Sequence, residues 1–246
     1  MSVKDGPNSV LSSLDLDIDF ANIKGISGNN ALDLSVNGYT VQTINPSSNT
    51  ATIANGYCTF NPTALSDTST FYRVNAAPFI ASYTEMSFET CVYTTSDNTG
   101  SQWPRNRPIS PRTNATPPPM GFGLGYGYIG VEYNGSGSGN VGQDVNGYYS
   151  GSATLSSVGL GKWIYITQTI STTLKEFKTY INGELVISVA ANTAPSAFNG
   201  FDIGRGYYDV SCNYMGRISF LKVYKKALTA VEVAQNFNSR RGRFGL

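Results

Sequence analysis

From one end of the chain to the other, apolar and polar residues alternate in twos. The sharpest case is "LDLDIDF", residues 14–20, where Asp15, Asp17 and Asp19 fall between Leu14, Leu16, Ile18 and Phe20. Successive side chains of a strand point to opposite faces, which would turn three carboxylates one way and four apolar groups the other. Comparable segments are Tyr39–Ile44, Gly56–Phe60, Phe71–Val74, Glu85–Thr94, Gly121–Tyr133, Asn146–Leu155, Lys162–Ile170, Phe177–Ile181, Glu184–Ala190, Gly200–Gly204 and Gly216–Tyr224. Turn clusters such as "SGNN" and "INPSSNT" separate them. In "FKTYINGELVISV" the pair Asn182-Gly183 stands between two alternating runs, and both residues tolerate the positive φ of a type I′ hairpin turn. Many short strands without interleaved helices predict an all-β, antiparallel sandwich or barrel.

Three segments depart from this pattern. "ALTAVEVAQNFN", 227–238, predicts a single short helix. Thr229 followed by Glu232 forms a capping box, Leu228 and Val233 a hydrophobic staple, and Val233 and Phe237 share a face. Residues 97–120 hold six prolines and three arginines and predict a long functional or disordered loop. "NGSGSGN", 134–140, is a shorter flexible loop.

Composition narrows the chemistry. Gly, Tyr and Phe number 26, 16 and 12, while charged residues make up only 13%, which suits strands and turns over helices. The balance of 17 Lys/Arg against 16 Asp/Glu leaves +1, too little to recruit nucleic acid or a membrane surface. There is no histidine, so His-based acid–base catalysis, Ser-His-Asp triads and His metal ligands are excluded. Cys58, Cys91 and Cys212 are isolated and odd in number, and read as buried thiols of a reducing compartment. "MSVKDGPNSV" has no apolar core of a signal peptide, and no run approaches the ~18 apolar residues of a spanning helix. Synthesis in a cytoplasm is expected.

The aspartate row admits three readings. Residues i and i+2 of a strand are about 6.8 Å apart, within the range where glycosidase carboxylates cooperate. As an EF-hand loop the row fails, with Phe20 at the sixth position and Ile26 at the twelfth. The simplest reading is a solvent-facing strand side that also blunts edge pairing. In "GFGLGYGYIG" four glycines alternate with Phe122, Leu124, Tyr126 and Tyr128. A bare glycine face invites close packing or a flat groove for a glycan or peptide. Tyr126 and Tyr128, with Tyr148, Tyr149 and Trp103, form the candidate sugar-stacking set. Arg105, Arg107 and Arg112 of the proline-rich loop, and Arg240, Arg241 and Arg243 of "SRRGRFGL", are candidate partner-docking groups; the last three also read as a solvated tail.

Three blocks together carry a family likeness. "LDLDIDFAN…ALDLSVNGYT", "GKWIYITQTI…FKTYINGELV" and "FDIGRGYYDVSCNYMGRISFLKVYKKALTAVEVAQNFNSRRGRFGL" resemble the opening, central hairpin and closing strand and helix of laminin-G-like, concanavalin A-like lectin/glucanase domains. The last block resembles most the lectin-like structural proteins of tailed bacteriophages, notably contractile-tailed phages of marine cyanobacteria. The resemblance implies one two-sheet jelly-roll domain over 1–246, with an insertion at 97–120 and a basic tail at 239–246. It implies a non-enzymatic virion structural protein: a capsid decoration, head fibre or tail/baseplate fibre component. Its partners would be other virion proteins, a second copy of the chain, or host surface glycans, the last making it an adhesion module. Calcium is common in the family, but no ligand set maps onto this chain, and no cofactor is expected.

Overall fold

The computed structural model describes residues 9–48, 50–61, 69–75, 84–95, 108–112, 120–125, 128–133, 153–154, 161–171, 173–190, 200–205 and 213–246. In chain order the strands are β1 Leu14–Asp19, β2 Ile26–Ser27, β3 Asn30–Ala31, β4 Thr40–Ile44, β5 Ala51–Ala54, β6 Tyr57–Phe60, β7 Phe71–Asn75, β8 Glu85–Thr94 and β9 Ile109–Arg112. They continue as β10 Met120–Gly125, β11 Tyr128–Tyr133, β12 Ala153–Thr154, β13 Trp163–Ser171, β14 Glu176–Ile181, β15 Glu184–Ala190, β16 Gly200–Ile203 and β17 Gly216–Tyr224, before the helix α1 Ala230–Arg240.

Two antiparallel sheets form the expected jelly-roll sandwich. The larger runs β15-β14-β13-β8-β17-β6-β5, with β1 also paired to β17; the smaller runs β4-β7-β16-β9. Alternation places Leu16, Ile18, Phe60, Met86, Phe88, Val92, Ile164, Ile166, Phe177, Leu221 and Val223 of the large sheet in one apolar core with Tyr72, Val74, Phe201 and Ile203 of the small one. Burying such side chains stabilises by roughly 1.5–3 kcal/mol each. The Asn182-Gly183 turn has φ of 50° and 82°, as the hairpin signal requires. Asn55-Gly56 makes the same turn, with φ of 54° and 84°, between β5 and β6.

Three expectations are corrected. The run 121–133 is not one strand: β10 and β11 pair as a hairpin, with Gly123 opposite Gly130. Within 97–120, β9 is a strand on the edge of the small sheet, where Pro111 can lack an N–H without breaking a ladder. The aspartate side of β1 does not face solvent: Arg240 of α1 and Arg243 after it cover Asp19, while Lys225, Asn37 and Tyr39 enclose Asp15. Asp15 and Asp19 are 2% and 4% exposed.

The helix begins as anticipated. Thr229 Oγ1 accepts the Glu232 N–H and Glu232 accepts the Thr229 N–H, closing the capping box. Leu228 and Val233 pack with Val10, Tyr180 and Tyr224, fastening α1 to the outer face of the large sheet.

Candidate functional site

The outer face of the large sheet is ordered in cross-strand rows, and α1 decides which of them meet solvent. One row is Thr167, Glu89, Lys222 and Asp17, paired in register across β13, β8, β17 and β1. Glu89 is fully buried and accepts from Asn236 Nδ2 at 2.9 Å, Tyr224 Oη at 3.2 Å and Thr167 Oγ1 at 3.2 Å. Burial pushes its carboxyl up to about 7, against the opposing pull of Asn236 and Lys222. Burial also raises Asp17, where Asp19 and Asp33 add to the effect and Lys222, at 3.5 Å, offsets part of it.

The three aspartates are each engaged by cations of the same chain. Asp15 meets Lys225 Nζ at 2.7 Å and accepts from Asn37 Nδ2 at 2.8 Å and Tyr39 Oη at 3.2 Å. Asp19 takes both terminal nitrogens of Arg243, at 3.1 and 3.0 Å, with Arg240 at 3.7 Å. Arg240 lies over the Phe220 ring, and burial beside Arg243 lowers it to about 9, so it stays cationic at neutral pH. Asp33 is a turn organiser: its two oxygens accept the backbone N–H groups of Asp17, Ser35 and Tyr39. A divalent cation does not fit this row, since a lysine or arginine already faces every aspartate. Among the described residues no cluster of three or more His, Cys, Asp or Glu is placed to hold a metal ion.

Two parts of the outer face stay open. Beside the start of α1, a cleft of ≈ 240 Å³ lies between the β13–β14 hairpin and residues 227–230, with Leu174, Glu176, Lys178 and Tyr180 on its walls. At the other end, one row is Trp163 on β13, Tyr93 on β8, Arg217 on β17 and Thr59 on β6, in register. Tyr57 leans in from β6. All five are partly exposed.

The expected site residues fall differently. Trp103, Arg105, Arg107, Tyr126, Tyr148 and Tyr149 lie outside the described residues, and Arg112 and Tyr128 are described by their strand positions alone. Of the tail arginines set down as docking groups, Arg240 and Arg243 are committed to Asp19 within the chain, while Arg241 is exposed. The Trp163–Tyr93–Arg217 row was not picked out from sequence. Trp163 and Arg217 fell within blocks of the family likeness, but neither was given a site role.

The family model of the concanavalin A-like lectin/glucanases superfamily matches residues 80–234. No curated protein matches the chain in sequence. Similar solved structures include the receptor binding domain of botulinum neurotoxin C/D mosaic serotype, 18% identical with a TM-score of 0.65, covering 93% of this chain and 51% of that one. Another is the botulinum neurotoxin serotype D ligand binding domain in complex with N-acetylneuraminic acid, 18% identical, TM-score 0.64, covering 93% and 51%. A third is the binding domain of botulinum neurotoxin DC in complex with rat synaptotagmin II, 17% identical, TM-score 0.63, covering 92% and 51%. The chain therefore spans about half the length of these structures, and the likeness is one of fold.

Proposed function

This chain belongs to the concanavalin A-like lectin/glucanases superfamily, and on that premise we propose that it is a non-enzymatic recognition domain carried on the virion of a tailed phage. The observation that carries the non-catalytic reading is the engagement of the aspartate row. A glycosidase needs one carboxyl free to donate a proton and a second open to the sugar or to water. Here Asp15, Asp17 and Asp19 face Lys225, Lys222 and Arg243. A face locked in this way serves as scaffold, and recognition falls to the surfaces it holds open.

The virion assignment draws on the resemblance of the C-terminal block to phage structural proteins, as a decoration, head fibre or tail fibre component. Capture of a glycan or a protein surface is supported by structural neighbours whose bound partners are a sialic acid and a synaptotagmin. The test has two arms. Mass spectrometry of purified particles should find the chain at stoichiometric level, and its absence ends the virion reading. Incubation with β-glucans should release no reducing ends; turnover that disappears in Asp17→Asn would replace the binding domain with an enzyme.

A further inference from the structure

The geometry points to a binding site for an acidic saccharide on the open row formed by Trp163, Tyr93, Arg217 and Tyr57. This assignment deepens the recognition reading above and rests on it. The four side chains come from four neighbouring strands and close a circuit. Trp163 lies 5.6 Å, centroid to centroid, from both Tyr57 and Tyr93, with the rings tilted by 55° and 66°. The Arg217 guanidinium completes it, 5.0 Å from the Tyr57 ring and 4.8 Å from the Tyr93 ring. Tilted rings make a shallow cradle, and the apolar C–H face of a pyranose stacks on such faces as other flat apolar groups do.

Donor chemistry selects the ligand. A guanidinium held between two rings keeps its in-plane N–H groups directed outward, ready for a bidentate partner. Arg217 has no carboxylate partner among the described residues, unlike Arg73, Arg240 and Arg243, each of which has one. Neither the tyrosine hydroxyls nor the Trp163 indole N–H makes a hydrogen bond among the described residues. The cradle therefore offers donor-only groups in the guanidinium and the indole N–H, beside two hydroxyls that can donate or accept. Arg243 donates to the Gly56 carbonyl at 2.8 Å beside Tyr57 with its charge paired to Asp19, which leaves Arg217 as the cation that faces a ligand. Phe244 closes one side, 5.2 Å from Trp163. An apolar floor and a forked cation without a carboxylate of its own together match a sugar bearing a carboxylate or sulfate, and discriminate against a neutral one.

The structure gives this row a rigid base. The strands that present it are central in the sheet, and the next row on the same face, Tyr165, Cys91 and Phe220, is buried under Phe237 and Phe244. Little ordering is needed on binding, which favours affinity.

The experiment is isothermal titration of the full chain with trigalacturonate, sialyllactose and a sulfated heparin disaccharide, against neutral lactose and laminaritriose. At least one acidic sugar should bind about tenfold or more tightly than the neutral ones, and Arg217→Met should remove that preference. Trp163→Ala should weaken all sugars. Arg217→Lys, which keeps the charge but loses the fork and the stacking, serves as the second variant where Arg217→Met lowers the unfolding midpoint. Acidic sugars that still bind both Arg217 variants as they bind the wild type overturn this site while leaving glycan recognition intact. Equal affinity for neutral and acidic sugars overturns the ligand class. A wild-type chain that binds no sugar at all, or only a virion protein, overturns the site together with the glycan reading.

Discussion

Asn236 on α1 and Glu89 at the centre of the large sheet meet at 2.9 Å, though 147 residues separate them in sequence. The same Asn236 accepts the Val10 N–H at 2.7 Å, so one amide ties the N-terminal segment, the helix and the sheet together. Its partner is a carboxyl that burial has pushed up to about 7 from the usual 4.5.

That shift sets a pH dependence. A folded-state value above the unfolded one means that folding favours the protonated acid. Its stabilisation is complete below about 4.5 and is lost as pH rises through about 7. Asp17 is raised too and acts in the same direction. Glu89→Gln keeps an acceptor for Asn236 and Tyr224 but cannot ionise. Urea unfolding between pH 5 and pH 8 should show stability falling more steeply in the wild type than in Glu89→Gln. Parallel curves would mean that Glu89 is not the titrating group.

Arg243 is held by four acceptors: both oxygens of Asp19, the Gly56 carbonyl at 2.8 Å and Ser219 Oγ at 2.6 Å. Arg243→Met leaves the buried Asp19 carboxylate with the Ala21 N–H at 2.9 Å and, as its cation, Arg240 at 3.7 Å, and should cost about 3 kcal/mol. The double variant with Asp19→Asn should recover part of that loss, because the carboxylate is gone, but not all, because buried Arg240 then loses its own counter-ion. Equilibrium unfolding of the three variants reads it directly. An unchanged midpoint in Arg243→Met would show that the tail adds nothing to the fold.

Thr229→Ala removes the hydroxyl that caps the Glu232 N–H and should lower stability by about 1 kcal/mol. Glu232 would keep its pairing with Lys226, so the helix should persist by circular dichroism while thermal unfolding comes earlier.

Gly204 sits at φ +89°, and a Cβ there would stand 2.1 Å from Cε1 of Phe60. Gly204→Ala should therefore cost at least about 2 kcal/mol, from overpacking and backbone strain together. Pairing it with Phe60→Leu should return some of the loss but not all, since the positive φ remains. Denaturation midpoints of the single and double variants separate the two contributions.

Local chemistry was the legible part of this fold. The Asn182-Gly183 turn, the Thr229–Glu232 box and the exact span of β8 could all be read from neighbours a few positions apart. β9 was hidden because Pro111 argues against a strand until its edge position is known. The aspartate row was misread as solvent-facing because what covers it lies far along the chain: Arg243 is 224 positions from Asp19. The Trp163–Tyr93–Arg217 row was invisible for a related reason. Its members are ordinary residues on three strands, and only the pairing register brings them side by side.

That register depends on one residue of β17. Between Ile218 and Phe220 the ladder to β8 slips, so Val92 and Cys91, adjacent on one strand, face residues two apart on the other. The extra member is Ser219. It reverses odd and even along β17, which lets Arg217 and Lys222 share a side although an odd interval separates them. Without that step, either the guanidinium or the lysine would be driven into the apolar interior. A single supernumerary serine thus reconciles a solvent-facing contact surface with a sealed electrostatic layer on one side of the same strand.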